Sequence, residues 1–478
     1  MEASLLDKNR VGKPDSCDVM ITNGFVITMD ESRRIYSPGA VAVSGNRILA
    51  VGPMREMQSK YKATRTFDAK GAVVHPGFID PHLHIVHGTC RGVFATPSLA
   101  EKQPVTFADW KADVTSVDEN IATQLASIEL LRSGFTCFVE PGSVFDSDAT
   151  AEGVEAVGIR ALLAAPYLWD SVDIMKHLGS LGSPSIFRRA PTNLDHCLKE
   201  IGRELHRNKK PDGLVRGYVA VYGIGTASDE LLKAAKACAD EAGVAFHQHE
   251  GYVPDASAAD RKTLGRGRID HLAHMGILGR NTTLVHMNII GDDEVEPLRS
   301  SGTSIVWCPT GTIHNTIAKG IPCRLPSLYK EGLNVAVGVD GALDNGVGTA
   351  GPTAFHVARG IGQPISPENV LEMQTICAAK AAGLEHEIGS LVPGKRADVV
   401  IRRETVESYP ATNPVHQLAL TAAPGSVETV LVDGQVVMDK GVTKNVDQEQ
   451  VCAEARASVR RRLSRLGLSV GQEWPTIG

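Results

Sequence analysis

The chain has 478 residues, more than one ordinary domain and enough for a large barrel with a smaller companion. Hydrophobic residues make up 42%, charged residues 22% and the formal net charge is -6, a globular profile with no basic field to attract nucleic acid. No uninterrupted apolar run is long enough to span a bilayer. The opening stretch MEASLLDKNRVGKPDSCD carries both charges and few apolar residues, unlike a secretory leader, so the cytoplasm is the expected location.

The first segment reads as strands: DVMITNGFVITMD, GAVAVSGNRILAVG and TRTFDAKGAVVHPG are β-branched runs punctuated by Asn-Gly, Ser-Gly-Asn and Asp-Ala-Lys-Gly. The same pattern returns late in the chain, in GKRADVVIRR and VETVLVDGQVVMDKG, which predicts one small β domain assembled from both ends. Between them, apolar strand-like runs alternate with helical ones. The strand candidates are TCFVEPG, RALLAAP, RGYVAVYGIG, GVAFHQHE, TTLVHMNII, TSIVWCPT and NVAVGVDG; NIATQLASIELLRSG and SDELLKAAKACADEAG repeat apolar residues at helical spacing and stop at Gly. This rhythm predicts a parallel sheet buried on both faces, and about eight βα units fit a closed (β/α)8 TIM-like barrel. An open doubly wound sheet shares the rhythm, but no GxGxxG follows the first strand. The expected division is a composite β-sandwich from 16–75 and 386–445, a barrel over 76–385 and a C-terminal amphipathic helix over 446–470 with a solvated arginine face.

The nine cysteines are dispersed, odd in number and free of any CxxC pair, which argues against a disulfide framework and a thiolate zinc knuckle. A metal here would be held by nitrogen and oxygen, and polar residues do stand at the ends of apolar strands. In HPGFIDPHLHIVHG, His82 and His84 are spaced i and i+2, so one strand face can aim both imidazoles at a common ion; the competing reading is two polar residues that merely alternate. Further on, VAFHQHEG offers His247, His249 and Glu250, LVHMN ends a run at His286, and VAVGVDGALDN reaches Asp340. In a barrel the C-terminal ends of different strands face one mouth despite their separation in sequence. Three histidines and a carboxylate suit zinc or ferrous iron, and an ion so held lowers the pKa of bound water. Glu250 is the candidate proton carrier, and His286 the candidate for steadying a developing oxyanion.

This constellation resembles the amidohydrolase superfamily, and within it the aminohydrolases and chlorohydrolases of triazines, guanine and thioadenosine-type nucleosides. The likeness runs through VITMDESRRIYSPGAVAVSGNRILAVG, HPGFIDPHLH, RGVF, FADW, EAVGIRALLA, FHQHE, HLAHMGILGRNTTLVHMNIIGDDEVEPLRSSGTSIVWCPTG, LPSLYKEGLNVAVGVDGALDN and IGSLVPGKRADVVI. It implies a metal-bearing barrel with a composite β-sandwich. It assigns His82 and His84 to the family's HxH, His247 and Glu250 to its HxxE, and His286 and Asp340 to the later strands. His249, of the same strand parity as His247, is the alternative ligand or a residue lining the pocket. Some relatives hold two metals with a lysine near the end of the fourth strand; GLVRGYVAVYGIGTAS has none, which implies one divalent ion per chain, zinc before iron.

The same likeness puts Arg91 and Trp110 in segments that cover the pocket, where they clamp or stack on a planar substrate or else pack the loops. Asn345 orients a loop or touches substrate, and Arg160 takes a structural place at a helix-to-strand junction. Two departures stand out: WCPTGTIHN has Thr310 and Gly311 where relatives show Ser-Asn, offering His314 and Asn315 only later, and His274 replaces an acidic residue. The first leaves the exact ring open. The expectation is a metal-dependent deaminase that releases ammonia from a small nitrogen-rich aromatic ring. Release of an alkylamine or halide from a triazine-like ring, or hydrolysis of an amide or urea bond, is the alternative. Relatives imply a homodimer or larger homo-oligomer. A non-catalytic scaffold on this fold would show gaps among the polar strand ends, and none is missing.

Overall fold

The β-branched runs near both chain ends pair into one sheet. In the computed structural model, which describes residues 15–94, 103–171, 182–252, 254–341, 346–421, 424–470 and 474, the N-terminal strands are β1 (Asp15–Ile27), β2 (Ile35–Ser44), β3 (Arg47–Pro53), β4 (Tyr61–Asp68) and β5 (Val73–Pro76). The C-terminal ones are β15 (Val399–Arg402), β16 (Val427–Val432), β17 (Gln435–Asp439) and β18 (Val442–Thr443). Together they form a nine-stranded sheet in the order β18-β17-β16-β15-β5-β1-β2-β3, with β4 on β1. The two ends of the chain meet where β15 runs antiparallel to β5, Val400 opposite His75. Inward-facing Ile21, Val26, Val41, Val43, Ile48, Val74, Val399 and Leu431 bury one core. Asn23-Gly24, expected as a turn, instead lies inside β1 at a register shift: residues before it pair with β4 and residues after it with β5. A bulge here lets one long strand serve two partners.

The intervening chain has a TIM-barrel-like α/β fold. Its strands are β6 (Phe78–Asp80), β7 (Phe135–Glu140), β8 (Arg160–Leu163), β9 (Val215–Gly217), β10 (Val219–Gly223), β11 (Phe246–Glu250), β12 (Thr282–His286), β13 (Ser304–Trp307) and β14 (Val335–Val337), all paired in parallel in the order β6-β7-β8-β9 and β10-β11-β12-β13-β14. Each of the seven runs read from sequence overlaps one of these strands, and RGYVAVYGIG overlaps two, β9 and β10, separated only by Tyr218. That residue donates its N–H to Leu163 O at 3.1 Å, while Val219 donates to Ala245 O at 3.2 Å. On the other flank, Asp340 N donates to His82 O and His84 N to Asp340 O, both at 3.0 Å, and Asp80 Oδ1 accepts from His82 N and Val339 N at 3.1 and 3.2 Å.

Helices have the caps their sequences call for. Ser116–Ser133 starts on a Thr115/Asp118 capping box and ends at left-handed Gly134, and Asp229–Ala242 runs from a Ser228 cap to Gly243. Side chains from successive strands fill the interior, among them Ile79, Val139, Leu162, Ala220, Val285, Val306 and Ala336. Ala378, Ala379, Ala381 and Ala382 close it at the N-terminal ends of the strands. Arg160, at the start of β8, reaches Asp398 through Nε and Nη2 at 3.2 and 3.1 Å, a buried pair that joins the barrel strands to the nine-stranded sheet. The C-terminal helix Gln448–Leu466 returns to Ser116–Ser133, where Ser458 Oγ donates to Asp118 Oδ1 at 2.5 Å. Among the described residues, no helix is long and apolar enough to cross a membrane.

Candidate metal centre

Five polar side chains from four strand ends converge. His82 and His84 follow β6, His249 lies in β11, His286 ends β12 and Asp340 follows β14. His84 Nε2 and His82 Nε2 stand 3.3 and 3.7 Å from Asp340 Oδ1. Ring centroids separate His82 from His249 by 4.7 Å, from His84 by 4.9 Å and from His286 by 5.7 Å. Ligand atoms of His82, His249 and His286, and again of His82, His84 and Asp340, lie within 4.8 Å of one another.

The backbone is bent to achieve this. His286, Met287 and Asp340 have φ of 77°, 47° and 70°, a left-handed conformation that side-chain-bearing residues adopt at a cost of order 1–3 kcal/mol each. Glu250 is the parallel partner of His286, so regular strand geometry would point both to the same side. The left-handed residue at the end of β12 turns His286 into the mouth while Glu250 stays behind. At Gly223 (φ +77°) a Cβ would stand 2.3 Å from His249 O, so only glycine lets β10 approach the ligand strand this closely.

Burial sets the protonation of the group. It pushes His84 down to about 4 and His286 to about 3, and holds His249 well below its ordinary value, so all three imidazoles are neutral. Burial opposes ionisation of Asp340 too, but His82 and His84 beside it hold its carboxyl well below the usual range. Neutral imidazoles around a carboxylate are the protonation state a divalent ion requires. The unmet bonding capacity agrees: both ring nitrogens of His82, and Nδ1 of His84 and of His286, are buried with no hydrogen-bond partner among the described residues. Buried polar atoms are rarely left so. The donor set therefore fits one ion of the zinc type. Cys308 lies within reach of His286 and Asp340, but burial raises its thiol well above its ordinary value and keeps it protonated.

The structure sets two of the expected residues apart from the cluster. His247 does not join the cluster: its Nε2–H donates to Ala381 O at 2.8 Å, toward the plug at the N-terminal ends of the strands. His249 takes the place at the mouth, its Nδ1–H donating to Tyr222 O at 2.6 Å, which leaves Nε2 as the lone-pair nitrogen facing its neighbours. Two residues along a strand is a displacement of about 6.6 Å, so the two histidines share a face and occupy different layers. Glu250, with opposite parity, leaves the interior. Its carboxylate accepts from Arg268 Nε at 3.2 Å and Gln248 Nε2 at 3.1 Å.

The remaining candidates are more peripheral. Arg91 forms a bidentate pair with Glu129 at 2.8 and 3.2 Å. Trp110 is buried against the C-terminal helix, with the Arg462 guanidinium 3.8 Å from its ring centroid, so it packs loops. His314 is exposed near the end of the helix Pro309–Asn315, and Asn345 lies outside the described residues. His271 pairs with Asp229 and His274 is exposed beside Asp270, as expected of helix-surface histidines.

Sequence reading missed the aromatic cluster packed beside the metal site. Tyr252 lies 4.5 Å from His286, Tyr222 lies 5.1 Å from His249, and Tyr167, Trp169 and Tyr222 are mutually packed. His87 stacks on His84 at 4.6 Å. The available signal was the His87 in HPGFIDPHLHIVHG itself and aromatics just beyond strand runs.

A profile of the amidohydrolase family matches residues 73–437. The chain belongs to the amidohydrolase family. It is 29% identical over 455 residues to the 5-methylthioadenosine/S-adenosylhomocysteine deaminase of Symbiobacterium thermophilum, covering 93% of this chain and 98% of that protein. It is 28% identical over 458 residues to the 5'-deoxyadenosine deaminase of Methanosarcina acetivorans, covering 94% and 99%. In structure it is similar to a zinc-bound adenosine deaminase from Xanthomonas campestris, with TM-score 0.84, 24% identity and coverage of 95% and 100%. It is also similar to a mutant atrazine chlorohydrolase from Arthrobacter aurescens in complex with zinc and atraton, with TM-score 0.77, 22% identity and coverage of 92% and 100%. Family and site together define a metal-dependent hydrolase of non-peptide C–N bonds.

Proposed function

We propose that the protein is a zinc-dependent deaminase that releases ammonia from an aminated, nitrogen-rich aromatic ring, with adenosine-type nucleosides the first class to test. The convergence of His82, His84, His249, His286 and Asp340 beside the rings of Tyr222 and Tyr252 carries this reading; the names of the relatives support the ring class. The proposal includes a closed eight-stranded barrel, supported by the hydrogen bonds of Asp340 with His82 and His84, and a composite β-sandwich built from both chain ends.

His82, His84, His249 and Asp340 would hold the ion. When bound, it supplies Lewis-acid polarisation and a water of lowered pKa. The protein's side chains do the rest. Tyr222 and Tyr252, which pack against His249 and His286, would offer aromatic faces to a planar ring and exclude water around it, with Trp169 packed behind Tyr222. Neutral His286 donates a hydrogen bond to the oxygen that gains charge as the ring carbon becomes tetrahedral. Asp340 is the ionised carboxylate of the cluster among the described residues, and its free oxygen can take a proton and return it to the departing nitrogen. Glu250, bound to Arg268, is not positioned for that transfer.

The test is ammonia release, with ultraviolet absorbance of the ring, from adenine nucleosides, aminopyrimidines, aminotriazines and their N-alkylated forms. Asp340→Asn is the control. Ammonia from wild type alone supports the deaminase. A spectral change without ammonia points to loss of an alkylamine or halide, and silence across the panel with one bound ion rejects the aromatic substrate.

A further inference from the structure

Beside the metal cluster lies a cation that none of the residues just described explains. Lys111, on the short helix Phe107–Ala112, is 4% exposed. Its Nζ lies 5.4 Å from the centroid of the Phe107 ring and 5.8 Å from that of Tyr167. Among the described residues, no carboxylate or other acceptor bonds it. Other buried cations of the chain are met: Arg160 by Asp398, Arg396 by Asp433, Lys236 by Asp240, and Arg402 by Ser426 and the Ser133 carbonyl. The ring faces offset only part of the lost hydration, so an anionic ligand would complete the ammonium's contacts. Burial lowers the ammonium to about 8, with the Cys90 thiol acting against that shift.

The position is specific. His87 packs edge-on against the same Phe107 ring at 5.0 Å, stacks on His84 at 4.6 Å, and has a buried Nε2 with no partner. Two unmet donors therefore stand along a path of ring contacts that leads to the metal ligands. Tyr167, the other ring against Lys111, belongs to the aromatic cluster with Trp169 and Tyr222. We propose that Lys111, with His87 beside it, anchors a carboxylate on the non-reacting end of the substrate, so that the preferred substrates are aminated rings bearing an anionic arm. One ammonium and one neutral imidazole between aromatic faces match a monoanion with two oxygens; a phosphate dianion would call for more donors. This inference rests on the deaminase reading for the reacting end of the substrate, but its binding half stands separately.

The probes are adenines carrying a carboxyalkyl chain of two to four carbons on N9 and the corresponding primary amides. Affinities for the metal-replete protein are measured by calorimetry, and ammonia release is followed in parallel. For the best chain length, wild type should bind the acid about tenfold or more tighter than the amide. Lys111→Met should bring that ratio to within about twofold. Equal affinity of wild type for acid and amide overturns the anchor, whatever the variant does. A preference that survives in Lys111→Met also overturns it, because the carboxylate is then held elsewhere, for instance by the ion. If the acid is preferred, the preference vanishes with Lys111 and yet no ammonia appears, the anchor stands and the deaminase reading fails.

Discussion

His247 and His249 share one face of β11 and differ in everything else. The lower histidine is tied to the Ala381 carbonyl, which also accepts from the Thr283 hydroxyl at 2.8 Å, and so fastens the segment packed at the N-terminal ends of the parallel strands. The upper one is surrounded by imidazoles and a carboxylate whose bonding capacity is unspent. The backbone follows the same division. Among the parallel strands, left-handed non-glycine residues stand past the C-terminal ends, at Tyr167, Ile224, His286, Met287 and Asp340, while the others, Asp433 among them, belong to the nine-stranded sheet and its turns. The lower junction is instead stitched by complete ion pairs around Arg160, Arg396, Asp398 and Asp433. Ion pairs and the His247–Ala381 bond fasten the lower layer, although His247 Nδ1 has no partner among the described residues, while the unmet nitrogens of His82, His84 and His286 cluster where a ligand would sit.

Substitutions at the two levels should separate these roles. His249→Asn or Asp340→Asn should lower activity by at least about a thousandfold and deplete bound metal, measured by elemental analysis. His247→Asn should leave one metal per chain, and retention of metal in His249→Asn with its loss in His247→Asn would reverse the assignment. Arg160→Met is expected to be the most damaging change to stability, costing about 3–5 kcal/mol in urea unfolding because Asp398 is left buried without its partner. A cost below about 1 kcal/mol would mean that the junction is held by apolar contacts alone.

A titration tests the upper rim without touching the ligands. Burial pushes the Glu140 carboxyl up to about 7, against the N–H groups of Gly142 and Ser143 that it accepts. Its folded value lies above its unfolded one near 4.5, so the protonated form favours the fold. That contribution is complete below the unfolded value and is lost as pH rises through about 7, on the order of 3 kcal/mol in all. Urea midpoints across this range should fall with pH in wild type and stay flatter in Glu140→Gln; parallel slopes would show that other groups set the pH dependence.

Much of this organisation was legible in the residues. Period-two and helical patterning located the strand runs and the long helices, and His82, His84, His286 and Asp340 stood out because polar residues ending apolar strands have few structural uses. What could not be read was the layer. Strand parity puts His247 and His249 on one face, and nothing local says which lies at the mouth; register with Tyr222 and Ala381 decides it. Asn23-Gly24 failed as a turn for a similar reason, since strand pairing with β4 and β5 overrode a local preference. Lys111 was hidden because a lysine in FADWK reads as solvated until the fold buries it.

The subtlest prediction concerns the face that β11 turns away from the mouth. Glu250 was the expected proton carrier from its spacing after His247, yet its carboxylate is paired with Arg268 at 3.2 Å. Glu250→Gln keeps an acceptor for that guanidinium but removes the compensating charge, which should cost about 1–3 kcal/mol of stability. A general base contributes about a hundredfold or more to rate, so its loss would be unmistakable. The expected result is activity within about threefold of wild type with metal content intact, because packing around His249 is disturbed and proton transfer is not. A hundredfold fall in kcat at full metal occupancy, in protein shown to be folded, would return the carboxylate to the mouth and require β11 to rotate by one residue. His249 would then leave the cluster, so the single variant decides between two complete readings of the strand.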